Sequence, residues 1–265
     1  MTFDHIRTER AGRIFTVTID RPEKHNAVSP AANFELAQAF DEFAADDDLW
    51  VAILTGEGDK AFCSGGDISE MVDAETDDDY PIPPSGYGGM TDRHDCFKPI
   101  IAAVNGIAFG GGFEMVLAAD IAVASEKAHF GLPEPKVGTA AVAGGMHRLV
   151  RQLGWKHAME LLLTGDSINA RRALDLGLVN AVVSPSDVLG KSREYAEKLM
   201  KCAPLALQAT KQGAMLGLSR GGVKEAMAAQ KNGEFTKLTD MFRSRDIKEG
   251  LKAFLEKRAP NWENG

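Results

Sequence analysis

The chain of 265 residues has no apolar run near the ~20 residues that a membrane span requires. Its three cysteines, Cys63, Cys96 and Cys202, are odd in number and lack C-x-x-C spacing. That excludes a disulfide framework and a cysteine zinc site and points to reduced thiols. Six histidines are scattered, without H-E-x-x-H or any close metal pair. There is no P-loop, no G-x-G-x-x-G fingerprint and no internal repeat. Excess positive charge is also missing: the formal net charge is −8, which argues against nonspecific affinity for nucleic acid or an anionic membrane. The N-terminus has neither the apolar core of a secretory signal nor the acid-poor character of a transit peptide, so a cytoplasmic location is expected.

What is present is ordinary for a globular protein, with 44% hydrophobic and 26% charged residues. The length suits one large α/β domain with an appendage. Residues 13–19 (RIFTVTI) predict a strand, Ser29-Pro30 opens a helix, and 51–54 predicts a short buried strand. Asp67 begins a helix as its cap. Residues 100–104 and 120–125 predict strands flanking an apolar helix at 113–119. Alternation of strand and helix implies crossover units. After Gly144 helices dominate, at 146–153, 155–163, 169–176 and 187–201, with a brief strand at 179–183. Pro204 and the glycines at 213, 217 and 221–222 read as breaks in the last third, before a final amphipathic helix at 246–258. Residues 73–89 combine an acidic run with Pro and Gly. They read either as a solvated loop or as a lid or acyl-pocket wall.

Two glutamates, Glu114 and Glu134, each follow a backbone-exposing motif. Gly110-Gly111-Gly112 joins a strand to a helix, either as a tight turn or as an amide donor in a first helical turn, where unpaired N–H groups favour an anion. Glu114 follows in the otherwise apolar FEMVLAA, where a buried carboxylate is costly unless paired or used. Glu134, after Pro133, reads by itself as surface charge. Ser64-Gly65-Gly66-Asp67 is a second glycine turn before a helix, and the Ser64 amide is its candidate donor. The Ser64 hydroxyl has no base placed by spacing and is not read as a nucleophile. Gly217-Leu218-Ser219-Arg220-Gly221 matches G-x-S-x-G, but it joins two helices instead of a strand and a helix. Two carboxylates with two exposed amide sites are the parts for acid–base chemistry beside a carbonyl that becomes an enolate.

These segments together resemble the enoyl-CoA hydratase/isomerase family, the crotonases, over nearly the whole chain. The resemblance rests on Arg21-Pro22 through Asn26-Ala27, on AFCSGGD (61–67), and above all on IAAVNGIAFGGGFEMVLAADIAVASEKAHFGLPEPKVG (101–138). Leu163-Thr164-Gly165, residues 173–180 and the segment from Glu249-Gly250 to Arg258 continue it. It implies an α/β spiral of ββα units over residues 1–200, binding CoA and carrying catalysis. Residues 201–265 would form a helical trimerisation region, in a homotrimer or hexamer. It implies oxyanion-hole amides at Ser64 and Gly111 and catalytic carboxylates at Glu114 and Glu134. Substrate contacts would come from Lys24, Ala27, Ser64, Gly65, Gly66, Asp67 and Ile68, with Phe254 and Lys257 supplied by a neighbouring subunit. No metal and no separate cofactor is implied, coenzyme A being part of the acyl-CoA thioester substrate.

The activity implied is reversible hydration of a 2-trans-enoyl-CoA to a 3-hydroxyacyl-CoA. Glu114 would hold the water, and Glu134, kept protonated by burial and a neighbouring like charge, would supply the proton; the reverse assignment is equally open, because a coupled pair shares its titration. Alternatives are a dehydratase or isomerase on a functionalised acyl-CoA, as in carnitinyl-CoA dehydratases, or a non-catalytic CoA- or RNA-binding relative. Residues 138–145 (GTAAVAGG) lack the proline of the family's G-x-x-P-G-A-G-G segment, which leaves the acyl group open.

Overall fold

A computed structural model describes residues 3–72 and 80–265. Residues 73–79, the acidic part of the expected loop or lid, lie outside the described residues. The chain divides into two compact units, one running to residue 94 and from 100 to 194, the other comprising 95–99 and 195–265.

The first unit is built on two sheets. One has the order β1 (Ile6–Ala11), β2 (Ile14–Ile19), β3 (Val51–Gly56), β5 (Ile100–Val104), β7 (Ile121–Ser125), β10 (Ala181–Val183). It is parallel except for the β1–β2 hairpin. Its central strands VAILTG and IIAAV are buried at every residue, as expected of parallel strands covered on both faces. The edge strand β1, IRTERA, is largely exposed and carries too many charges to read as a strand from the sequence.

The second sheet has the order β4 (Ala61–Cys63), β6 (Ile107–Phe109), β8 (His129–Gly131), β9 (Ser167–Asn169). At three residues each, these strands are too short for periodicity to reveal. The chain alternates between sheets, β3 to β4 to α2 (Ile68–Met71), then β5 to β6 to α3 (Gly111–Ala118), then β7 to β8. This is the expected ββα spiral. Because β4, β6 and β8 are parallel neighbours, their C-terminal ends share one edge. The segments leaving that edge are 64–67, 110–114 and 132–134. Ligand sites of α/β sheets gather at such ends.

α1 (Pro30–Ala45) is capped by Ser29, whose side chain accepts from Ala32 N. Beyond β8 come α4 (Gly145–Gln152), α5 (Trp155–Thr164), α6 (Ala170–Asp175) and α7 (Val188–Met200). The second unit holds α8 (Pro204–Leu218), α9 (Val223–Lys231), α10 (Thr236–Arg243) and α11 (Asp246–Glu256). Gly213 and Gly217, expected as breaks, lie inside α8. A β-carbon at either would make only ordinary contact, 4.0 Å from Phe235 for Gly213 and 3.8 Å from Ala226 for Gly217. Ser219 caps α8 and Gly222 precedes α9, so the G-x-S-x-G match is a helix–helix turn. Leu251, Phe254 and Leu255 of α11 face outward, and Ala253 is the buried residue of that stretch. Among the described residues no helix is long and apolar enough to cross a membrane.

Candidate active site

The middle strand of the second sheet delivers the glycines. Gly110 N donates to Gly131 O at 3.0 Å, which extends the β6–β8 pairing, and Gly110 then turns with φ +51 to start α3. Gly111 is the first helical residue, where a backbone N–H has no partner within the helix and the dipole is positive. Close approach explains the absence of side chains here. A β-carbon on Gly110 would lie 3.0 Å from Glu134 Oε1, and one on Gly112 would lie 2.2 Å from Cys63 O. A β-carbon on Gly65 would lie 3.7 Å from Gly111 N and 3.1 Å from Phe109 O. The two glycine turns that the sequence singled out are therefore neighbours, and Glu134 stands against one of them.

Glu114 is 3% exposed and lies on α3, one turn into the helix. Its Oε1 accepts from Gly145 N at 2.8 Å, at the start of α4. Burial raises its pKa to about 7, against the Gly145 bond; the nearby charge of Glu134 raises it further and Arg148 lowers it. Glu134 opens a short 3-10 turn and is half-buried. Burial raises its pKa as well, and its Oε2 has no hydrogen-bond partner among the described residues. Burial thus pushes both carboxylates toward holding a proton near neutral pH, and Glu114 is the more deeply buried of the two.

The Ser64 amide is engaged differently from the expectation. It donates to His25 O at 3.1 Å, because His25 and Asn26 both adopt left-handed backbone, with φ 52 and 55, and turn that carbonyl toward β4. A ligand oxygen at Ser64 N would have to share that bond. The same loop is stitched to the 64–67 turn by Val28 N to Gly65 O at 2.9 Å and Asp67 N to Val28 O at 3.2 Å.

Asp67 is buried and its carboxylate is already used. It accepts from Ser69 Oγ at 2.5 Å and pairs with Arg21 Nη2 at 3.0 Å, while Arg21 Nη1 donates to Ala27 O. The Ser69 hydroxyl, then Arg21, hold its pKa below the usual range despite burial. Asp67 and Ala27 hold the loop's shape instead of presenting a free group. Lys24 and Ile68 are exposed beside them, and Lys24 Nζ donates to Ser69 Oγ at 3.2 Å. Gly66 has its open face against Met71 and Tyr80. Phe254, 83% exposed, and Lys257, the left-handed cap of α11, belong to the second unit.

Three residues of the site carried no sequence signal. Arg148 of α4 donates to Thr91 O at 2.7 Å and bears on Glu114. Tyr80 donates to Val28 O at 2.7 Å. Tyr87 covers Gly111, whose β-carbon would lie 2.4 Å from its ring. Only the register of the folded chain brings them in, although Tyr80 and Tyr87 fall within the stretch read as a possible pocket wall.

The arrangement offers one amide donor at a helix start with a buried and a half-buried carboxylate around it. Comparison with known proteins bears on the family and the fold. Residues 9–265 match the enoyl-CoA hydratase/isomerase family. A carnitinyl-CoA dehydratase of Salmonella typhi is 40% identical over 259 residues, covering 98% of both chains. The crystal structure of an enoyl-CoA hydratase from Mycobacterium tuberculosis superposes with a TM-score of 0.89 at 39% identity, over 98% of this chain and 99% of that one. An enoyl-CoA hydratase from Bacillus anthracis reaches a TM-score of 0.89 at 30% identity, over 99% of this chain and 100% of that one. With matching motifs, the same spiral and near-complete coverage, this chain belongs to the enoyl-CoA hydratase/isomerase family, with the α/β crotonase fold.

Proposed function

We propose that this protein is a hydro-lyase that adds water across the 2,3 double bond of an enoyl-CoA thioester and removes it in the reverse direction. The observation that carries this reading is the placement of Glu114 and Glu134 around Gly110-Gly111. The thioester oxygen binds at Gly111 N, with Ser64 N as second donor once its bond to His25 is shared. Those bonds strengthen as enolate charge develops, and loss of one such donor typically costs about 3–4 kcal/mol of barrier. Glu134, with Oε1 against Gly110, is nearest the carbon next to the thioester and delivers the proton to C2. Glu114, held by Gly145 further along α3, orients the water and takes its proton as oxygen bonds to C3. Two close carboxylates share their titration, so a single proton held by the pair serves either member. Elimination runs the same steps backward with the roles exchanged.

Glu114→Gln and Glu134→Gln, assayed for crotonyl-CoA hydration by loss of enoyl-thioester absorbance, test the reading. Each is expected to lower turnover about 10²- to 10⁴-fold. Near-normal turnover in either variant overturns the two-carboxylate mechanism.

A second reading, dehydration of a functionalised acyl-CoA, is favoured by the 40% identity to a carnitinyl-CoA dehydratase. It uses the same groups and differs in the acyl chain, so a panel of 3-hydroxyacyl- and enoyl-CoA substrates separates the two. We also propose that residues 201–265 carry a homotrimeric or hexameric assembly, which would place Phe254 and Lys257 at a neighbour's CoA. Light scattering that gives a monomer at micromolar concentration would remove that role.

A further inference from the structure

Tyr87 has a use that the acid–base chemistry does not absorb. It is 7% exposed, and its hydroxyl has no hydrogen-bond partner among the described residues. A buried hydroxyl left unsatisfied costs about 1–3 kcal/mol, which a ligand oxygen brought against it would recover. The Cys63 thiol lies beside the phenol as a weak acceptor, outside ordinary hydrogen-bond geometry, and a ligand oxygen would be the stronger partner. Burial first, then Cys63, Tyr80 and Glu114, hold the phenol well above its ordinary pKa, so it stays a donor.

Its position is set by Gly111. A β-carbon there would lie 2.4, 2.5 and 2.8 Å from the ring carbons Cε1, Cζ and Cδ1. In a first helical turn the N–H points out along the axis, whereas the Cα–Cβ direction leaves the flank. Tyr87 therefore stands beside the thioester-oxygen position and not in line with it. On other sides of the same turn, Gly110 faces Glu134 and Gly112 faces Cys63 O. Apart from the Glu134 carboxylate, which the acid–base chemistry uses, the flank with an unpaired polar group is that of Tyr87.

We propose that Tyr87 is a specificity-determining residue, whose hydroxyl donates a hydrogen bond to an oxygen on the acyl chain beyond the thioester carbonyl. The preferred substrates then carry a polar acyl substituent, such as a hydroxyl at C4. This rests on the acyl-CoA reading of the site.

The test uses Tyr87→Phe, which removes the hydroxyl and keeps the ring on Gly111. Calorimetry with butyryl-CoA and 4-hydroxybutyryl-CoA measures the contact without turnover. The native protein is expected to bind the hydroxylated thioester about ten-fold more tightly, the worth of one neutral hydrogen bond, and the variant to lose that preference. Equal binding of the two thioesters by the native protein, or an unchanged preference in the variant, overturns the proposal. In parallel, kcat/KM on 4-hydroxycrotonyl-CoA is expected to fall about ten-fold in the variant, with crotonyl-CoA changed less than about three-fold. An equal fall on both thioesters overturns it. If the native protein hydrates neither thioester, the hydratase reading fails while calorimetry still decides the Tyr87 contact.

Discussion

Gly145 N donates to Glu114 Oε1 at 2.8 Å, so the start of α4 holds the carboxylate that α3 carries into the interior. The bond favours the charged form, and burial outweighs it, leaving Glu114 with a pKa of about 7.

The sign of the resulting pH dependence follows. A folded pKa raised above the unfolded value means that the folded state binds the proton more tightly. The contribution to stability is complete below the unfolded value of about 4.5 and is lost as pH rises to about 7. Glu114→Gln, which cannot ionise, is expected to gain stability over the native protein across that window, by roughly 1–3 kcal/mol at pH 8. Thermal denaturation at pH 4.5 and pH 8 checks this; a difference that stays constant with pH would refute it.

Arg148 lowers the Glu114 pKa by its charge. Arg148→Met is therefore expected to raise it, and to move the limb of the pH–rate profile that reports Glu114 toward alkaline pH. The kcat/KM profile of the variant, read against the native one, measures the displacement. An unmoved limb, or one moved toward acid, contradicts the assignment.

The three glycines of α3's first turn differ in what opposes a side chain. At Gly112 the obstacle is the backbone carbonyl of Cys63, at Gly111 the ring of Tyr87, and at Gly110 the end of the Glu134 side chain with a left-handed φ. Backbone yields least, so Gly112→Ala is expected to be the most destabilising, by about 3 kcal/mol or more. Gly110→Ala is expected to cost about 1–2 kcal/mol of stability and to lose activity out of proportion, because it displaces Glu134. Denaturant melts with paired assays would rank the variants, and a milder effect at Gly112 than at Gly110 counts against this packing.

Asp67 is held ionised by Ser69 and Arg21. Asp67→Ala leaves Arg21, itself mostly buried, with only the longer pairing to Glu70 at 3.8 Å, and is expected to cost about 2–4 kcal/mol and to loosen the 24–28 loop from the 64–67 turn. The folded pKa is depressed, so this contribution is present above the unfolded value of about 3.8 and fades as pH falls through the folded one. Melting curves at pH 7 and pH 3 should show a smaller difference between variant and native at the lower pH.

Much of the fold was legible. The apolar strands 51–54 and 100–104, the Ser29-Pro30 helix start and the glycine-to-helix turns are local signals. Each depends on side-chain period, capping or backbone freedom within a few residues. The paired glutamates and the family pattern were legible for the same reason, since motif spacing is a property of the chain. The second sheet was not, because three-residue strands carry no period, yet its parallel β4, β6 and β8 are what bring residues 64–67, 110–114 and 134 to one edge.

The sequence by itself determined which chemical groups are available and that a spiral of strand–strand–helix units would present them. Tertiary structure alone decided their state. It buried Glu114 deeply enough to raise its pKa to about 7, and it turned His25 O onto the Ser64 amide. It also laid Tyr87 on Gly111 with its hydroxyl unpaired. Burial, proton affinity and hydrogen-bond competition depend on atoms distant in sequence, and only the packed chain brings those atoms together.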